Sequence, residues 1–234
     1  MNRRAIILAA GRGNRLRPLT DSIPKPLVTV GSYSLIEHHL HKFCQVGVKE
    51  IVINHAWLGD KIESALGDGS RYGVNIAYSA EPKGGLETAG GILQALPLLS
   101  NGQQPFCVVN GDVFTDYPFD KISQLTLATG IMAHLILVPN PDFKSEGDFG
   151  LEQGMATLDK TYTFSGVSVL HPALFEGLEP GRLALGGILK QAIAERKVTA
   201  ELYEGYWSDV GTLERLNKTR QDFESNNKMK MEKL

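Results

Sequence analysis

The sequence predicts an α/β protein in which helices flank a mainly parallel β-sheet. Short apolar segments with the composition of buried strands alternate with helical segments, and the first strand ends at a glycine-containing loop. The order strand, helix, strand, helix, strand favours parallel pairing with right-handed crossovers. After residue 133 the strands become closely spaced, which predicts a small β-rich extension of a mixed sheet.

The N-terminal half supplies the alternating units. Apolar runs predict strands at residues 5–10, 50–54, 74–79 and 106–110. Apolar residues at helical spacing predict helices at residues 35–46, 58–66 and 88–96. Ligands of open α/β sheets bind outside the carboxyl ends of the strands, so Gly11 and Asp112 are expected at one edge.

The C-terminal half is predicted to be mixed or antiparallel. Strands are expected at residues 133–138, 149–151, 162–170 and 198–203, the last of them at a sheet edge, and helices at residues 183–193 and 212–223. Residues 1–225 are expected to form one domain, because 234 residues with 42% hydrophobic content can bury one substantial core. Residues 226–234 have several lysines and no apolar periodicity, which predicts a flexible tail.

Composition restricts the classes of partner and compartment. A net charge of −2 with 8% aromatic residues argues against nucleic acid or an anionic membrane as the main partner. No signal peptide and no apolar run of about eighteen residues is present. Cys44 and Cys107 lie inside apolar segments, which is typical of buried thiols in a reducing compartment. We therefore expect a monomeric cytoplasmic protein.

The loop after the first strand has the residues that a polyphosphate needs. Gly11 and Gly13 allow backbone N–H groups to approach a phosphate closely, while Arg15 and Lys25 add fixed cations. The loop lacks the spacing of a P-loop, and Leu16 stands where a dinucleotide fingerprint has its third glycine. On its own, the GxG element is equally typical of a turn with solvated arginines.

Two aspartates follow short apolar segments. Asp112 ends Asn110-Gly111-Asp112, and Asp209 lies within Trp207-Ser208-Asp209-Val210-Gly211. A carboxylate at a strand end can bind Mg²⁺, which needs few protein ligands because phosphate oxygens and water complete its octahedron. Taken alone, each aspartate is also typical of a turn or a helix entry.

A longer pattern joins these features. Residues 11–27, GRGNRLRPLTDSIPKPL, match GxGxRLxPxTxxxPKxL, and both aspartate motifs follow in the right order. With these motifs the chain resembles the sugar-1-phosphate nucleotidyltransferases, which join a sugar 1-phosphate to a nucleoside triphosphate and release pyrophosphate. The resemblance implies a Rossmann-like fold with a sugar-binding β-rich extension.

The resemblance also implies roles for individual residues. The loop of Gly11, Arg12 and Gly13 would wrap the triphosphate, Arg15 would hold the leaving pyrophosphate, and Lys25 would contact the phosphates during transfer. Asp112 and Asp209 would bind Mg²⁺. The side chains of Arg12 and Arg17 occupy variable motif positions and are expected to be surface charges.

The base site is expected at Glu81, Thr88 and Gly90. A carboxylate acceptor suits the N3–H of uracil and equally the N1–H of guanine, so the residues alone leave the base open. Residues 54–59, 67–73, 86–88 and 164–172 resemble the uridylyltransferases of bacterial peptidoglycan recycling. That resemblance implies UTP and N-acetylmuramate 1-phosphate as substrates. A mannose-1-phosphate guanylyltransferase and a non-catalytic nucleotide sensor are the alternatives.

The sugar site is the least defined part of the prediction. Many relatives have a Glu-Lys-Pro motif whose lysine grips the sugar phosphate, and none occurs between Gly150 and Phe164. Asn110, Asp148 and Gly150 are the expected contacts of the sugar phosphate. The cation that would hold this phosphate stays unassigned.

Overall fold

The structure is a computed structural model that describes the backbone of residues 3–231 and the side chains of residues 3–225. The strands of this part of the chain are β1 (Arg4–Leu8), β2 (Thr29–Val30), β3 (Tyr33–Ser34), β4 (Glu50–His55), β5 (Asn75–Ala80), β6 (Phe106–Asn110), β7 (Val113–Thr115), β8 (Ala133–Val138), β9 (Phe149–Glu152), β10 (Met155–Leu170), β11 (Val198–Leu202) and β12 (Trp207–Asp209). The α-helices are α1 (Leu19–Ser22), α2 (Leu35–Gln45), α3 (Gly59–Leu66), α4 (Glu87–Leu99), α5 (Phe119–Gln124), α6 (Leu185–Ala194) and α7 (Leu213–Met231).

Eight of these strands form one mixed sheet with the order β11-β8-β10-β6-β1-β4-β5, and β9 pairs with β10. Strand β1 is parallel to both β4 and β6, and β4 is parallel to β5. Strand β10 is antiparallel to β6 and β8. The predicted mainly parallel α/β sheet is confirmed, and β11 lies at its edge as expected.

Helices cover both faces of the sheet because its central strands are apolar on both sides. Ile7 packs with residues of α2 and α3 on one face, whereas Ile6 packs with residues of α4 and α6 on the other. Both isoleucines are fully buried. Burial of such a side chain contributes about 1.5–3 kcal/mol, so this central pair of layers fixes the strand ends that carry the site.

Strand β10 starts at Met155, seven positions before the predicted start at residue 162. Its first residues form a hairpin with β9, in which Met155 is opposite Glu152. Gln153 and Gly154 have φ values of 50° and 77°, the left-handed pair that a two-residue hairpin turn requires. Residues 158–161 are exposed and polar apart from Leu158, so no apolar run marks this half of the strand.

Helix α7 continues to Met231, whereas the sequence predicts a helix that ends at residue 223. The backbone of residues 226–231 is therefore helical, and residues 232–234 of the predicted flexible tail lie outside the described residues. The domain boundary after residue 225 stays a prediction. None of the helices between residues 3 and 231 has the length and apolar character that crossing a membrane requires.

Candidate active site

The carboxyl ends of β1, β4, β5 and β6 surround a cavity of about 540 Å³. This is the edge at which the order of strands predicts a ligand. The cavity is lined by seven residues predicted for the site: Gly11, Arg12, Lys25, Glu81, Thr88, Asn110 and Asp112.

The loop after β1 packs closely against Thr20 and Lys25. Gly13 has a φ of 69°, and a Cβ at this position would lie 3.0 Å from Thr20 Cγ2 and 3.2 Å from Lys25 Cβ. The Thr20 hydroxyl donates a hydrogen bond of 2.8 Å to the Gly13 carbonyl. Gly13 thus permits a close approach that brings Lys25 to the loop, while Gly11 faces open space in which a ligand can approach the backbone.

Arg12 is held in place by its neighbours. Its guanidinium lies 3.5 Å from the ring centroid of Trp57 and donates 2.7 Å hydrogen bonds to the Thr20 carbonyl and to Asp21. Trp57 and Asp21 therefore orient the partly exposed Arg12 side chain at the cavity wall, and its expected place as a surface charge stays a prediction. Arg17 is exposed and pairs with Asp21, as a surface charge does.

Lys25 and Asp112 form an ion pair at the base of the cavity. Lys25 is buried, whereas the Asp112 side chain is 35% exposed. Asp112 is placed by the turn after β6, where the Gly111 N–H donates a 2.8 Å hydrogen bond to the Leu8 carbonyl at the end of β1. The predicted cation Lys25 and the predicted metal ligand Asp112 are therefore in direct contact.

A short antiparallel ribbon brings the second aspartate to the first. Strand β12 pairs with β7 so that Asp209 is opposite Val113, and the Val210 N–H donates to the Asp112 carbonyl at 2.9 Å. Burial raises the pKa of Asp209, Arg215 opposes that rise, and the charge of Asp112 adds to it. The charge of Asp112 acts on Asp209 because strand pairing places Asp209 opposite Val113, the residue that follows Asp112.

Asp209 is only partly satisfied by its neighbours. Its Oδ1 lies 2.9 Å from Arg215 Nη1, but this oxygen is buried and has no aligned hydrogen bond from the described residues. An oxygen in that state is a suitable donor to a hard cation. Within the described residues, no group of three or more His, Cys, Asp or Glu side chains could hold a metal by itself. A metal at this pair would need further oxygen ligands.

A second cavity of about 640 Å³ contains Asp209 in its wall. Arg15 lines this cavity, together with Arg215 and Phe143. Asp112 and Lys25 line the first cavity, so the two aspartates lie at the border between the two spaces. Of the predicted catalytic cations, Lys25 lines the first cavity and Arg15 lines the second, with the carboxylate pair between them.

A buried hydrogen-bond chain shapes the other end of the first cavity. Asn54 Oδ1 accepts from the Ala9 N–H at 2.9 Å, and Asn54 Nδ2 donates to Glu81 Oε1 at 2.6 Å. The Leu86 N–H donates to Glu81 Oε2 at 2.7 Å. Both oxygens of Glu81 thus have protein partners, which indicates that Glu81 positions the loop leading to α4. Its expected contact with a base stays a prediction.

We expect Gly91→Ala to disturb this chain. A Cβ at Gly91 would overlap Glu81 Oε1 and lie 2.6 Å from Asn54 Nδ2. The substitution should lower the free energy of unfolding by about 1–3 kcal/mol, as overpacking does, and weaken the binding of UTP, the nucleotide that the sequence resemblance implies, about tenfold. Urea denaturation and titration calorimetry measure the two effects.

The matched control is Gly186→Ala in helix α6, where a Cβ would meet no atom within 4 Å. This variant should bind UTP like the wild type and gain up to about 1 kcal/mol. Equal behaviour of the two alanine variants would contradict the positioning role of the Asn54–Glu81 pair.

Of the predicted contacts Thr88, Asn110 and Gly90, the first two line the cavity and the third packs behind it. Thr88 and Asn110 line the first cavity. Gly166 has a φ of 79° and lies in a β-bulge of β10, where a Cβ would be 3.0 Å from Asn110 Cβ. Gly90 does not line the cavity, because its Cα faces the Gly181 carbonyl and Leu183.

The predicted sugar contacts Asp148 and Gly150 do not join the other residues. Asp148 Oδ2 accepts from Lys144 at 2.6 Å and from the Phe164 N–H at 2.9 Å, so it anchors the start of β9. Gly150 faces Thr157 across the β9–β10 hairpin. Neither residue lines the two cavities beside the aspartate pair, and their expected contact with the sugar phosphate stays a prediction.

Sequence reasoning missed several residues that the fold brings to the site. Asn54 lies one position before the end of β4 and Asn110 ends β6, and a polar residue near the carboxyl end of a buried strand was a usable signal. Trp57 follows in the next loop. No local pattern distinguishes Arg215 and Phe143, which reach the second cavity from α7 and from the loop before β9.

Comparisons with known proteins agree with this geometry. Residues 4–152 match the family model described as nucleotidyl transferase. An N-acetylmuramate alpha-1-phosphate uridylyltransferase from Neisseria meningitidis serogroup B is 52% identical over 225 residues, which cover 93% of this chain and 96% of that relative. A mannose-1-phosphate guanyltransferase from Yarrowia lipolytica is 31% identical over 223 residues, covering 89% of this chain and 60% of that relative.

The fold is also found in solved structures. A protein from Bacillus anthracis, described as a glucose-1-phosphate thymidylyltransferase in complex with a sucrose, has a TM-score of 0.82 against this chain at 23% identity. The superposition covers 93% of this chain and 94% of that protein. At this level of identity the likeness concerns the arrangement of helices and strands.

Proposed function

Because this chain belongs to the nucleotidyl transferase family, we propose that it transfers the uridylyl group of UTP to N-acetylmuramate 1-phosphate, giving UDP-N-acetylmuramate and pyrophosphate. The observation that carries the substrate assignment is the 52% identity to a relative of that activity, over nearly the full length of both chains. The product would serve peptidoglycan recycling.

We propose Mg²⁺ as the metal of the Asp112–Asp209 pair. Two neighbouring carboxylates, one with a buried oxygen that lacks an aligned hydrogen bond, fit a hard cation that takes its remaining ligands from phosphate and water. When bound, Mg²⁺ would neutralise charge on the phosphate oxygens and orient them.

The reaction needs alignment and charge neutralisation more than proton transfer. An oxygen of the sugar phosphate attacks the α-phosphorus of UTP, the new O–P bond forms, and the bond to the β-phosphate oxygen breaks to release pyrophosphate. The attacking oxygen is ionised at neutral pH, so no general base is required. Lys25 in the first cavity and Arg15 in the second would stabilise charge on either side of the transferred phosphorus.

The two alternative functions differ from this proposal. A guanylyltransferase would bind a different base, and a non-catalytic nucleotide sensor would bind the nucleotide without turnover. A guanylyltransferase is supported by 31% identity to a relative of that name, but this chain spans 60% of that relative's length. A non-catalytic nucleotide sensor would not need the Lys25–Asp112 ion pair or the ribbon that brings Asp209 beside it. These features favour the uridylyltransferase.

A substrate panel tests the proposal. In the presence of Mg²⁺, UTP should raise the melting temperature more than GTP, dTTP, CTP or ATP does. Pyrophosphate release with UTP should be at least about tenfold faster with N-acetylmuramate 1-phosphate than with the 1-phosphates of mannose, glucose or N-acetylglucosamine, which corresponds to about 1.4 kcal/mol of selectivity. Preferential stabilisation by GTP would overturn the base assignment, and no release with any sugar phosphate would favour the sensor.

We further propose that the enzyme acts in the cytoplasm. Both cysteines are free thiols, as expected in a reducing compartment. The monomeric state and the absence of nucleic-acid or membrane partners stay predictions.

A further inference from the structure

Two guanidinium groups converge on Gly211, at the end of the ribbon. A Cβ at Gly211 would overlap Arg215 Nη2 and lie 3.2 Å from Arg15 Nη2. A side chain at this position would displace the Arg215 guanidinium and crowd that of Arg15. Two cations so close together repel each other unless an anion lies between or beside them.

The Arg215 side chain is 13% exposed and incompletely paired. Asp209 approaches Nη1, while Nε and Nη2 are buried and receive no hydrogen-bond acceptor from the described residues. A buried donor without an acceptor costs free energy, and the cost is larger when the donor belongs to a charged group. These two nitrogens therefore retain unused hydrogen-bonding capacity beside the second cavity, which an oxygen-rich ligand could use.

The position of Arg215 in its helix is also unfavourable for the helix. The Thr212 hydroxyl accepts a 3.2 Å hydrogen bond from the Arg215 N–H, which caps the first turn of α7. A cation in the first turn opposes the helix dipole, whereas an anion bound there is stabilised by it. Arg215 is thus placed where a bound anion would relieve two unfavourable interactions.

Phe143 covers this guanidinium. The Arg215 Cζ lies 4.0 Å from the centroid of the Phe143 ring, which is itself 57% exposed. The ring shields the cation from water and orients it, so its interaction with an anion is stronger than on an open surface. Asp142 and Glu214 also line this cavity, but both are exposed, where solvent weakens their effect.

We propose that Arg215 forms a paired-guanidinium site with Arg15 that binds the leaving pyrophosphate. The proposal rests on nucleotidyl transfer, the reaction assigned above, but not on the identity of the base. Arg15 alone is implied for this role by the sequence motif, and Arg215 supplies a second planar donor fork from the far end of the chain. Pyrophosphate has enough oxygens and charge to accept from both groups and to balance them.

Binding of inorganic pyrophosphate tests the site without turnover. Calorimetric titration with Mg²⁺ present should show that Arg215→Lys weakens pyrophosphate binding about tenfold, because lysine keeps the charge but loses the fork. Arg215→Met should weaken it further. Binding of UMP, which has no pyrophosphate group, should change less than about twofold in the lysine variant.

The control is Arg71→Lys, whose 59% exposed side chain contacts Ala65, Tyr72 and Glu37 instead. It should bind pyrophosphate like the wild type. The proposal is overturned if Arg215→Lys leaves pyrophosphate binding unchanged, if it weakens sugar 1-phosphate binding instead, or if all ligands weaken in parallel with a lower melting temperature. Selection of a base other than uracil would contradict the proposed function and leave this inference intact.

Discussion

Asp209→Asn and Asp112→Asn should each lower pyrophosphate release from UTP and a sugar 1-phosphate at least about a thousandfold. Asparagine keeps the shape of the side chain but removes the charge that a divalent cation requires. Asp209 ends β12 and Asp112 directly precedes β7, so each is held at a fixed place by the ribbon and neither can replace the other without a change of the backbone. A coupled pyrophosphate assay measures the rates, and circular dichroism verifies that the variants are folded.

Asp116→Asn is the matched control on the same ribbon. Asp116 is exposed and accepts a hydrogen bond from Tyr203, away from the carboxylate pair. This variant should retain at least about half of the wild-type rate, in line with a surface substitution. Wild-type activity in Asp209→Asn would exclude that residue from the metal site, and loss of activity in Asp116→Asn would attribute the effect to the ribbon in general.

Lys25→Met should reduce turnover about a hundredfold to a thousandfold while changing stability little. Methionine retains the buried stem of the lysine but not its charge. The partner Asp112 is 35% exposed and can be solvated after the change, so the free energy of unfolding should fall by about 1 kcal/mol or less. Turnover assays and urea denaturation separate the two effects.

Lys160→Met provides the comparison. Lys160 is 60% exposed and pairs with Glu146 in the β9–β10 hairpin. It should show wild-type turnover. Should Lys25→Met lose stability in proportion to activity, Lys25 would be a structural cation and not a participant in transfer.

The central strands were predictable because burial on both faces demands apolar residues. Strands β6 and β8 begin and end at the residues that their apolar runs predict. The first half of β10 was not predictable. Its hairpin with β9 leaves residues 158–161 exposed, so this part of the strand has no apolar periodicity. Helix α7 was predicted too short for a similar reason, since its last turns have no apolar stripe.

Site residues close to the first strand could be predicted, and those that depend on distant pairing could not. Lys25 stands at a fixed distance from the loop after β1 within one motif, which a single sequence can match to a known pattern. The backbone partner of Asp148 could not be predicted, because the Phe164 N–H lies 16 positions away and reaches Asp148 only through the pairing of β9 with β10; the expected contact of Asp148 with the sugar phosphate stays a prediction. The place of Arg215 in the site could not be predicted from the sequence, because the β7–β12 ribbon brings it close to Arg15 only in the folded protein.

The two strands of the β7–β12 ribbon are synthesised at very different times. The Thr115 hydroxyl donates to the Tyr206 carbonyl across 91 positions of the chain, and the residues of the triphosphate loop and Asp112 are synthesised long before that partner. Since the chain is synthesised from its N-terminus, the proposed metal pair would be complete only after Trp207–Asp209 has docked onto β7, so turnover would depend on the last strand of the ribbon.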